Sequence, residues 1–64
     1  MITTTRAREI QKVAYTQVTA HTTDGAVRDA TTYSELQEIE WVAKDRRTSL
    51  IGAVDYLAQP TSHQ

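Results

Sequence analysis

The residues best suited to chemistry in this chain are Lys44, Asp45, Arg46, Arg47, Thr48 and Ser49, a run of charges and hydroxyls that follows Trp41. If a helix begins at Thr48 or Ser49, three cations and two hydroxyls gather at its positive end, where they can reach phosphates and guanine acceptors. The competing reading is a solvated turn in which Arg46 or Arg47 pairs with Glu38, Glu40 or Asp45, and the residues leave both open. Glu35, Glu38 and Glu40 stand upstream as an acidic helix face suited to a basic partner. Trp41 sits about 140° around a helix from Leu36, off the apolar stripe. There it either covers a neighbouring segment or anchors another chain, as large aromatics do at interface hot spots.

Other chemistries find little to work with. His21 and His63 are the only histidines and no cysteine is present, whereas a metal site needs three or four converging ligands. Gly25 and Gly52 are the only glycines, so no phosphate-cradling loop, dinucleotide turn or nucleophile elbow can be assembled. We expect neither an enzyme nor a bound cofactor.

The positions of these side chains depend on elements that must fit in 64 residues. One domain is the most such a chain supports, and it buries only about 60% of its unfolded surface. The plausible core is made of small aliphatics with no phenylalanine, so a homodimer or a partner is the expected source of extra stability. Net charge is −1 and the pI is about 6.0, whereas dedicated nucleic-acid binders often exceed a domain pI of about 9. The charges are segregated: Arg6, Arg8 and Lys12 lie early, the three glutamates in the middle and Lys44, Arg46 and Arg47 after them. No apolar run approaches the roughly 18 residues that span a bilayer, and no apolar leader opens the chain. A cytoplasmic protein with no membrane contact is expected.

Helical periodicity places Ala7, Ile10, Val13, Ala14 and Val18 on one face of a first helix, about residues 4–21, with Thr3, Thr4 and Thr5 available to cap it. Leu36, Ile39, Val42 and Ala43 define a second, about 34–44, capped by Thr32 or by Ser34, which with Gln37 fits a capping box. Leu50, Ala53, Val54, Leu57 and Ala58 define a third, about 48–59, capped by Thr48 or Ser49 and ended by Pro60. One unbroken helix through the last two would set Arg46 and Arg47 in the apolar stripe, so a break is expected between Asp45 and Thr48. Residues 22–32 read as a loop or short extended piece and residues 60–64 as a polar tail. In that loop Asp24-Gly25 either ends the first helix through a positive φ at Gly25 or turns a β-hairpin within residues 13–32. The fold class is therefore mainly α, a three-helix, helix-turn-helix-like small domain.

The segments Thr31-Thr32-Tyr33-Ser34-Glu35-Leu36 and Arg46-Arg47-Thr48-Ser49-Leu50-Ile51-Gly52 through Leu57 resemble the texture of small helix-turn-helix and winged-helix domains. The resemblance covers the C-terminal half and departs from the pattern in having no glycine at the turn and an acidic supporting helix. It implies a DNA-binding regulator or accessory protein, with Arg46, Arg47, Thr48 and Ser49 facing DNA and Lys44 making an outer phosphate contact. The alternative is a protein-binding adaptor or inhibitor, of the kind phages and mobile elements carry, acting through Trp41, Glu35 and Glu38.

Overall fold

The computed structural model describes residues 1–18 and 22–59, and among these it contains four helices and no strand. They are α1 (Thr4–Gln17), α2 (Thr23–Ala30), α3 (Tyr33–Arg46) and α4 (Leu50–Ala58). Each begins at a hydroxyl side chain that accepts a backbone N–H of the first turn: Thr3 from Arg6, Thr22 from Gly25, Thr32 from Glu35 and Ser49 from Gly52. These bonds satisfy donors that have no partner inside the helix. Thr16 and Thr31 donate instead to the carbonyls of Lys12 and Val27, four residues back. The threonine richness that gives part of the chain a β-forming look is thus used largely at helix ends.

The mainly α class stands, and α2 adds a helix where a loop over 22–32 is expected. The Asp24-Gly25 pair explains the difference. No glycine has a positive φ, so Gly25 neither ends a helix in the left-handed region nor forms a hairpin corner. It is the third residue of α2 and donates its N–H to Thr22 Oγ1 at 3.1 Å. Asp24 lies in the first turn and Arg28 in the last, matching the helix dipole, and Ala26 and Val27 are fully buried. Eight residues form a stable helix only through such packing. α1 is Thr4–Gln17, and its expected end near 21 falls on residues 19–21, which with the tail 60–64 lie outside the described residues. Val13, expected in the core, is 42% exposed.

The expected break is present. α3 ends in a Schellman motif in which Thr48 N–H reaches Ala43 O at 2.9 Å and Arg47 N–H reaches Lys44 O at 3.3 Å. Arg47 takes the left-handed position, φ 55°, ψ 50°, usually given to glycine. At the other end of α3 the capping box pairs Thr32 with Glu35 rather than Ser34 with Gln37. α4 is the hub: it packs against α1, α2 and α3, and buries Leu50, Ala53, Val54 and Ala58. Ile10, Val27, Ile39 and Val54 are the largest fully buried side chains. The rest of the core is mostly alanine, which lets helix backbones approach closely.

Candidate functional site

The three glutamates of α3, expected to form an acidic partner-binding face, each have a partner within the chain. Glu35 receives Arg6 Nε at 2.6 Å and Arg6 Nη2 at 3.0 Å, a two-pronged pair, and also accepts the N–H of Thr32 at 3.0 Å. These bonds hold its carboxyl down at about 2, the Arg6 hydrogen bond first and the Thr32 backbone next, and raise the Arg6 guanidinium pKa in return. Glu38 accepts the Ile2 N–H on both oxygens, at 3.1 and 3.0 Å, beside the buried Ile2 side chain. Glu40 pairs with Arg28 of α2 at 3.4 Å. Sequence reasoning missed these links because Glu38 and Ile2 lie 36 positions apart, beyond any local pattern.

The basic corner is real but does not converge on one point. Arg46 lies over the Tyr56 ring, 3.7 Å from its centroid, a cation–π contact that ties the end of α3 to α4. Ser49 uses its hydroxyl to cap α4, accepting Gly52 N–H at 3.2 Å. Thr48 rests against the first turn of α4, where a Cβ at Gly52 would overlap its Oγ1 and come within 3.2 Å of its Cβ. Gly52 is therefore there for close approach. Lys44 and Arg47 turn the other way. With Asp45 and Trp41 they line an open groove of about 370 Å³ on the outer side of α3.

Trp41 is 70% exposed, so most of its surface is open to solvent rather than spent on covering a neighbouring segment. Tyr33, at the start of the same helix, is 77% exposed; in the sequence it stood only within the segment that carries the helix-turn-helix resemblance and not among the candidate binding residues. Its position directly after the N-cap Thr32 was the available signal. At 100° per residue Tyr33, Gln37, Trp41 and Lys44 fall within about 80° of arc, and all four are exposed. This face explains why α3 has a weak apolar stripe: both of its aromatics, Tyr33 and Trp41, are exposed, on the side opposite Ile39.

On the far side, Asp55 of α4 accepts Gln11 Nε2 at 2.8 Å and the Tyr15 hydroxyl at 3.0 Å. The carboxylate holds the phenolic proton and so raises the Tyr15 pKa. Asp55 thus braces α1 against α4. Among the described residues no cluster of three or more His, Asp or Glu could hold a metal ion, and His21 and His63 lie outside them. No described helix is long and apolar enough to cross a membrane. Comparisons with protein-family models, with curated proteins and with solved structures find no match to this chain.

Proposed function

We propose that this protein is a small, non-enzymatic interaction module that engages another protein through the outer face of α3. The observation that carries the reading is Trp41, 70% exposed in a groove it shares with Lys44, Asp45 and Arg47. A large aromatic left in water on an otherwise well-capped helix contributes nothing to the packed core and offers a partner a hot-spot anchor. Tyr33 extends the same face. A photo-crosslinking residue in place of Gln37, exposed on the same face with Trp41 kept, in cells that make the protein, should give a discrete protein adduct, and the same residue at Lys12 on α1 should not. Absence of an adduct at position 37 removes the reading.

A DNA-binding reading draws support from Lys44, Arg46 and Arg47 at the α3–α4 corner. It has less to build on than the resemblance to helix-turn-helix domains implies. The helix that would enter the groove, α4, carries no cation and buries Leu50, Ala53, Val54 and Ala58, and Arg46 is laid over Tyr56. If DNA is bound, affinity falls steeply with salt through counterion release. A duplex titration at low salt with no binding removes this second reading.

A further inference from the structure

The groove beside Trp41 also says what kind of partner fits it. Arg6 and Arg28 are neutralised by glutamates. Lys44 and Arg47, by contrast, make no side-chain hydrogen bond or ion pair among the described residues, and both face the groove with one carboxylate, Asp45, between them in sequence. The groove wall is therefore cationic on balance, although the whole chain carries a net charge of −1. Arg47 adds a geometric point: its backbone is fixed in the left-handed region by two hydrogen bonds, so the root of its side chain is held in place. A guanidinium presented in that way can take a carboxylate in two parallel bonds.

We infer that the occupant of this groove is an acidic polypeptide segment with an apolar anchor, which deepens the interaction reading above and rests on it. One carboxylate pairs with Arg47 and a second with Lys44, while an aliphatic side chain lies on the Trp41 ring. Asp45 sets the spacing. It repels an unbroken acidic run, so the partner places a neutral or hydrogen-donating group opposite it. The same carboxylate, with a negative net charge behind it, disfavours a phosphodiester backbone, whose charges recur at every residue and cannot skip Asp45. A second copy of this chain fits less well, because Glu35, Glu38 and Glu40 are already paired internally.

Trp41 is the only tryptophan in the chain, so its fluorescence reads the groove directly. The full chain is titrated at low ionic strength with a synthetic peptide of glutamate pairs alternating with leucine pairs, with its lysine counterpart, and with a single-stranded oligodeoxynucleotide. The acidic peptide should shift Trp41 emission saturably, and the other two probes should not. Lys44→Glu with Arg47→Glu should weaken the acidic peptide by about tenfold or more, while circular dichroism stays unchanged because both side chains are exposed. Asp45→Asn should tighten it. An equal response to both peptides, no response to the acidic one, a response to the oligonucleotide alone, or an emission shift on raising protein concentration with no probe each overturns the inference. An adduct at position 37 without this peptide pattern sinks the acidic-partner inference and leaves the interaction reading standing. No adduct sinks both.

Discussion

Glu35 shows how much of this fold rests on single side chains. One carboxylate closes the capping box of α3 and receives the Arg6 fork from α1, so it fixes where α3 begins and what it leans on. Glu35→Gln keeps an acceptor for Thr32 and removes the charge, and we expect a loss of about 1 kcal/mol at neutral pH, the scale of a charge-assisted bond in partial solvent. The pH dependence follows from the carboxyl being held at about 2 when folded against about 4.3 in an unfolded chain. A depressed carboxylate adds stability in full above the unfolded value and loses it as pH falls toward the folded one. Urea midpoints measured from pH 6 down to about pH 2 should therefore drop faster for the parent than for Glu35→Gln. Parallel curves across that window contradict the assignment. The Tyr15–Asp55 contact works at the other end of the scale: a raised phenol pKa contributes below the unfolded value near 10 and is lost as pH rises through the folded one.

Between α3 and α4 the chain bends at an arginine. The bend was legible in the sequence, because two apolar stripes of helical period could be joined only by putting Arg46 and Arg47 in the seam. The residue that makes it was not, since a left-handed corner is the habit of glycine. α2 was illegible for a related reason: Asp24-Gly25 is a strong turn signal, and only tertiary packing on α1 and α4, with Ala26 and Val27 buried, overrides it. The site divides in the same way. Trp41 could be singled out by its angle on the helix, but the fate of Glu35 and Glu38 depended on Arg6 and Ile2, which no spacing rule brings together. Arg47 gives a prediction in which stability and binding part company. Arg47→Gly removes the strain of a side chain at φ 55° and should raise the unfolding free energy by about 0.5–1 kcal/mol, while it weakens the acidic peptide. A variant that loses stability shows that the Arg47 side chain has a structural partner and is not reserved for the groove.

At the scale of the whole molecule, margins are thin. A chain of this length has about 3–10 kcal/mol of net stability, and half of its buried core residues are alanines. Ile39 is completely buried at the inner side of α3, directly behind the exposed aromatic face. Ile39→Ala should cost about 2–5 kcal/mol and leave much of the protein unfolded, so Ile39→Val, at about 0.5–1.5 kcal/mol, is the useful probe. A ligand that binds only the folded chain adds about 2.7 kcal/mol when present at a hundred times its dissociation constant. That exceeds the Ile39→Val loss. Thermal melts of Ile39→Val should accordingly shift down without the acidic peptide and return to or above the parent midpoint with it. Trp41→Ala separates the two contributions, because its side chain is mostly in water and outside the core: it should melt close to the parent alone and gain little from the peptide. If the peptide raises the midpoint of Trp41→Ala as much as that of Ile39→Val, the stabilising contact lies elsewhere on the surface, and the outer face of α3 is not where this protein takes hold of its partner.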